Sequence, residues 1–341
     1  MKLGMLTRAA ALTLILGLTA ACGSSGGSAT STGTSEPVGV AVFLSTSANS
    51  YEQAQADGAK KAAEMLGAGP VQVFDGGFDS TKQVGQIQDA TTAGRYKAFV
   101  IEPIDGAAVV PALTRAAQQG IKVVCITTAC GADSTKLTTQ FPGQTGVVGS
   151  DYAKTASLLA ARAIASCASV NPCKVFYLNG DSTFPTDRAA KDSFQAVMSK
   201  APSNVVYVGS QDGKYDTATG RSVMQAVLQR TPDLNVLASL ADQQTLGAAQ
   251  AIEAAGKSGQ IQMISFGGSK QAVVAVEAAK WLAALPTVPV SIGQTGATIA
   301  ISAAQGKDVP ASVVDANTLT GVDGNFLTKE NASSFSAQWV A

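Results

Sequence analysis

From residue 38 onward the chain alternates two kinds of segment: a short run of apolar, often β-branched residues, and a longer stretch whose apolar positions recur three or four residues apart. The first kind predicts buried strands and the second amphipathic helices. Residues 38–44 read as a strand, and Asn49 or Ser50 caps a helix that buries Ala54, Ala59, Ala62, Ala63 and Leu66. A strand over 71–74 follows, then a helix capped by Asp79 or Ser80 that runs through Val84, Ile87 and Thr91. A strand over 98–101, a helix from Asp105 to Gln119 and a strand over 122–126 complete the first half. The cycle restarts with a helix over 151–168. Strands at 175–178, 205–208, 236–238 and 263–266 then alternate with helices near 187–200, 216–230, 242–255 and 269–279. Strands that are apolar on both faces and separated by helices predict parallel sheets covered on both sides: an α/β fold of two doubly wound units.

A length of 341 residues fits about two domains of roughly 150 residues each. No break in composition separates the halves, so the chain is expected to pass between lobes at several points. Residues 1–21 stand apart. Lys2 and Arg8 flank the start of an apolar stretch, 9–20, that is too short to cross a bilayer and fits a secretory signal. The segment Leu18-Thr19-Ala20-Ala21-Cys22 resembles the lipobox at which bacterial lipoproteins are cleaved and lipidated on the cysteine, although Thr19 stands where leucine is usual. Residues 22–37 are almost entirely Gly, Ser, Thr and Ala, a flexible tether. The expectation is a soluble body held by a lipid on Cys22 at the extracytoplasmic face of the cell membrane.

Composition narrows the chemistry. The chain has no histidine, which excludes a Ser-His-Asp triad and an imidazole metal site. Its 24 basic and 24 acidic residues balance, so no broad positive field draws nucleic acid. Beyond Cys22 the cysteines fall into two close pairs, Cys125 with Cys130 and Cys167 with Cys173. Local disulfides fit an oxidising compartment, with zinc the competing reading; neither spacing is a CxxC knuckle. Two motifs fail on inspection. Ala255-Gly256-Lys257-Ser258 resembles the end of a phosphate loop, but Ala251 replaces the first glycine and the segment ends a helix instead of starting one. Gly143, Gly146 and Gly149 lack the dinucleotide spacing. Neither a cofactor nor a metal is expected.

In an open α/β sheet a ligand sits outside the carboxyl ends of the strands. The residues there are Ser45, Asn49, Tyr51 and Glu52; Pro103 and Asp105; Thr127 and Thr128; Asn179, Asp181, Phe184 and Arg188; Tyr215 and Asp216; Ala241 and Asp242; Gly267; and Thr287. Rings mixed with hydroxyl, amide and a few charged groups suit a small polyhydroxylated ligand, whose C–H faces pack on rings while each hydroxyl finds a partner.

The segments FLSTSANSYEQAQADGAKKAAEMLG, VIEPIDGAAVVPALTRAAQQGIKVV, VGSDYAKTASLLA, YLNGDSTFPTDRAAKDSFQAV, YDTATGRSVMQAVLQRTPDLNVL and LGAAQAIEAAGKSGQIQMISFGG, in this order and spacing, resemble the ribose-binding group of type I periplasmic binding proteins. The resemblance implies two α/β lobes joined by three hinge strands, closing on a ligand and docking on an ABC-type permease, without catalysis and as a monomer. It implies one lobe from 38–150 and 288–317 and another from 151–287 and 318–341. Ser45, Asn49 and Tyr51 match ligand-contact positions, Arg188 matches an arginine that grips ligand oxygens, and Tyr215 matches a ring against the sugar face. Thr127-Thr128 replace an Asp-Arg pair of ribose binders, Glu52 a second aromatic, Ala241 an asparagine, Gly267 an aspartate and Thr287 a glutamine. These losses disfavour ribose. They leave another small sugar or polyol, or a small acid held by Arg188, as cargo; a sensor feeding a signalling receptor is the alternative role.

Overall fold

The computed structural model describes residues 37–309, 311–322 and 326–341. The expected export signal, Cys22 and all of the tether but Pro37 lie outside the described residues. Within them the first half runs β1 (Val40–Leu44), α1 (Ser50–Met65), β2 (Val71–Asp75), α2 (Ser80–Ala93), β3 (Ala98–Ile101), α3 (Gly106–Gln118), β4 (Lys122–Thr127) and β5 (Gln144–Gly149). There follow α4 (Tyr152–Ser166), β6 (Cys173–Asn179), α5 (Pro185–Met198), β7 (Val205–Asp212), α6 (Thr217–Arg230), β8 (Val236–Ser239), α7 (Asp242–Ala254), β9 (Gln262–Gly267), α8 (Lys270–Glu277), β10 (Ala283–Pro286), α9 (Pro289–Ala304) and β11 (Val313–Asp315). Asn49, Asp79, Asp105, Asp151 and Asp216 each accept first-turn N–H groups that a helix leaves unpaired.

The strands make two parallel sheets, ordered β11-β5-β4-β3-β1-β2 and β10-β9-β8-β6-β7, each the centre of one lobe. In β1, Val40, Val42 and Leu44 pack under α1 and α9 against Ala59, Ala62, Ile292 and Ile299. Ala41 and Phe43 face the opposite layer, against Ile87 of α2 and Leu113 of α3. In β6, Phe176 and Leu178 meet Met224 and Ala248, whereas Val175 and Tyr177 meet Leu159 and Phe194. Both faces of each central strand are thus buried, which is why their sequence does not alternate.

Three strands, β5, β10 and β11, escape the hydrophobic pattern. The first opens on polar residues and is interrupted by Gly146, and the other two span only four and three residues. The chain moves between the sheets more than once. It leaves the first sheet after β5, returns through α9, which packs on α1, and adds β11 to the first sheet's edge. Leu327 then bridges Ala284 of β10. The last described residues are shared: Lys270 N–H donates to the Trp339 carbonyl at 3.0 Å, while the Gln338 amide donates to Ser291 Oγ of α9 at 2.7 Å. Cys125 and Cys130 are joined with sulfurs 1.99 Å apart, and Cys167 and Cys173 with sulfurs 2.05 Å apart.

Candidate ligand-binding cleft

Residues from the carboxyl ends of both sheets line one cleft with about 680 Å³ of free space, part of it open to solvent. On the first lobe the turn from β1 into α1 delivers Ser45, Asn49, Tyr51 and Glu52. Asn49 is held by its cap, its Oδ1 accepting from Tyr51 N–H at 2.8 Å. Ser45 Oγ lies 3.2 Å from Glu52 Oε1 and also 3.2 Å from Glu102 Oε2. A hydroxyl carries one proton and can donate to only one of them. Glu52 Oε2 is buried without a partner. Burial raises both carboxyls above the ordinary range, and at Glu52 the neighbouring Glu102 adds to the effect.

Thr127, at the end of β4, is a β-branched residue held at φ 66°, a conformation that costs free energy outside glycine. Gln55 donates to its hydroxyl and Ser150 N–H to its carbonyl at 3.0 Å, fixing the turn. Phe78 and Tyr215, also on the cleft, have φ of 58° and 56°. Three strained residues converge on one cavity.

On the second lobe Asp187 is fully committed. Tyr215 Oη lies 2.9 Å from Oδ1 and 2.8 Å from Oδ2, and Asp181 N–H donates to Oδ2 at 2.6 Å, so the single phenol proton is left for Oδ1. Burial raises its carboxyl to about 7. Gly180 permits this arrangement, because a Cβ there would lie 2.2 Å from Asp187 Oδ2 and 2.4 Å from Tyr215 Oη. The rest of this wall is largely apolar: Leu240, Ala241, Phe266 and Gly267. Tyr51 Oη and Thr287 Oγ1, 3.2 Å apart, link the lobes at the back. At the rim, Phe78 of the first lobe meets Phe184 of the second with ring centres 5.5 Å apart.

Seven rings line the cleft: Tyr51, Phe78, Tyr152, Phe184, Tyr215, Phe266 and Trp339. Among the described residues, no lysine or arginine does. Of the residues expected from the sequence, Ser45, Asn49, Tyr51, Glu52, Pro103, Thr127, Thr128, Phe184, Tyr215, Ala241, Gly267 and Thr287 come together here. Six others do not. Asp105 and Asp216 are spent as helix caps. Asp181 binds Thr183 and Lys214. Asn179 is buried behind the loop, its amide tied to Ser182 and Asp212. Asp242 is buried under β9, where it accepts from Ser269 N–H at 2.7 Å, and burial raises it to about 6. Gly267 takes φ 155°, and a Cβ on it would meet that carboxylate at 2.5 Å, so glycine is dictated by the backbone and by Asp242.

Arg188 is exposed, and its Nη1 donates to the Ser182 and Thr183 carbonyls at 2.9 and 2.8 Å. One residue along a helix turns about 100° around its axis, so the neighbour Asp187 takes the cleft and Arg188 points away. The lining residues not anticipated are Phe78, Glu102, Ile104, Tyr152, Thr186, Asp187, Leu240, Gln243, Phe266 and Trp339. Glu102 directly follows β3 and could have been found by the strand-end rule. Trp339 could not, since it lies far along the chain from any predicted element.

A family profile described as a periplasmic binding protein domain matches residues 40–308. The chain belongs to this family. The periplasmic binding protein described here is 30% identical over 275 residues to the ribose import binding protein of Escherichia coli, covering 80% of this chain and 86% of that protein. It is 26% identical to a Mycobacterium smegmatis solute-binding protein of an ABC transporter solved with bound glycerol; the TM-score is 0.73, with 89% of this chain and 99% of that one covered. It shares its fold with the myo-inositol-binding protein of Caulobacter, at 19% identity and a TM-score of 0.75, over 88% of this chain and 96% of the other. This is a family of type I sugar-binding proteins built from two α/β lobes, and its members bind substrates.

Proposed function

We propose that this periplasmic binding protein is the lipid-anchored, monomeric substrate-binding subunit of an ABC importer at the extracytoplasmic face of the cell membrane, and that its cargo is a small sugar or sugar alcohol other than ribose. The observation that carries the reading is the cleft: seven rings supply faces for C–H surfaces, and hydroxyl, amide and carboxyl groups stand between them to accept a ligand's hydroxyl protons. The carboxylic-acid alternative loses its support, since Arg188 turns its guanidinium to loop carbonyls. Ribose is disfavoured because Thr127, Thr128, Ala241, Gly267 and Thr287 cannot make charged hydrogen bonds, and an unpaired buried hydroxyl costs about 1–3 kcal/mol.

Calorimetric titration with pentoses, hexoses and alditols tests the cargo. Binding of at least one compound with no chemical turnover is expected, and silence across the panel rejects the carbohydrate reading. The anchor is tested separately: Cys22→Ser should move the protein from the membrane to the soluble fraction of cells.

A further inference from the structure

The cleft is unbalanced in charge. Glu52 and Glu102 are only 5% and 7% exposed, both border the cavity, and they share a single serine hydroxyl. One of their oxygens, Glu52 Oε2, is buried with no donor. The titratable groups on the packed elements around the pair are Tyr51 of α1, Tyr152 of α4, Asp187 of α5 and Tyr215, none of which is cationic. Taking two carboxylates out of water without a counter-charge is costly, so the empty pair must retain a proton. Among the described residues no three His, Cys, Asp or Glu side chains gather to hold a metal ion, so a metal centre built from three such ligands is not the natural counter-charge. A ligand ammonium would be. It donates three hydrogen bonds where acceptors are in excess, and it is attracted to the faces of the surrounding rings.

We propose that the cargo of this cleft is a hydroxylated amine, an amino sugar or amino alditol bound as its ammonium form, with Glu52 and Glu102 as its counter-charge. This rests on the reading of the cleft as a sugar or polyol site and adds the charge of the ligand. Binding is then an exchange: the ammonium enters, both carboxylates ionise, and the proton they held leaves to solvent.

Matched pairs test it by calorimetry at neutral pH: 1-amino-1-deoxysorbitol against sorbitol, galactosamine against galactose, and 3-amino-1,2-propanediol against glycerol. In at least one pair the amine should bind about tenfold or more tighter than the alcohol, with proton release seen as an enthalpy that varies with the buffer's ionisation heat. Glu52→Gln and Glu102→Gln, checked for folding by circular dichroism, should reduce the ratio of amine to alcohol affinity toward one. If in every pair that binds the alcohol binds as tightly as its amine, the inference is overturned and the sugar or polyol reading stands. Silence of every amine and every alcohol overturns both.

Discussion

The two walls of the cleft each bring acid to the ligand but treat it differently. On the second lobe Asp187 has a donor for each oxygen, from Tyr215 and from the Asp181 N–H, and Gly180 leaves room for both. On the first lobe two carboxyls divide one serine hydroxyl, and an oxygen is left without a donor. The first arrangement is complete by itself and shapes the wall. The second leaves one buried oxygen unmet and its two carboxyls above the ordinary range. A buried acid's partners therefore say more about its role than its burial does.

The contrast can be broken most severely at Gly180. Gly180→Ala would drive a methyl into Asp187 and Tyr215, and a loss of more than about 3 kcal/mol in denaturant unfolding is expected, a size reserved for such clashes. Tyr215→Phe should cost about 1–3 kcal/mol by removing the donor from buried Asp187, with part of that loss recovered at pH 5, where the carboxyl is protonated. The pH dependence of the unliganded protein sharpens the comparison. Asp187 near 7, Asp242 near 6 and the raised Glu52 and Glu102 all hold protons more tightly folded than unfolded. Stability should thus fall as pH rises from about 4 to 7. Below that window the lowered carboxyls of Asp75, Asp181 and Asp216 act in the opposite sense, so scanning calorimetry should find the highest Tm near pH 4–5. The smallest effect is expected at Arg188: Arg188→Ala should leave ligand affinity within about threefold, since the side chain faces loop carbonyls and the change in binding free energy stays under about 1 kcal/mol.

How far the sequence could be read follows from the same physics. Strands buried on both faces and helices with a capping Asp or Asn announced themselves, so the two doubly wound units were legible. So was the β1–α1 corner with Ser45, Asn49, Tyr51 and Glu52, because those residues follow a clear strand and cap. The pair Asp187-Arg188 was ambiguous for a definite reason: sequence names two adjacent polar residues, but only the helix phase decides which one faces inward. Glu102 depended on noticing a buried acid at a strand end. Phe78 depended on a left-handed turn at a non-glycine residue, for which its sequence gives no warning.

Trp339 touches both sides of the cleft: its Nε1 donates to the Gly267 carbonyl at 3.2 Å, and its ring meets Tyr51 edge-on with centres 5.4 Å apart. The chain has only two tryptophans, and the other, Trp281, is sealed in the second lobe's core. The protein consequently carries its own optical probe at the binding site and a silent reference away from it. Intrinsic fluorescence, with Trp339→Phe as the blank, can report occupancy without any label.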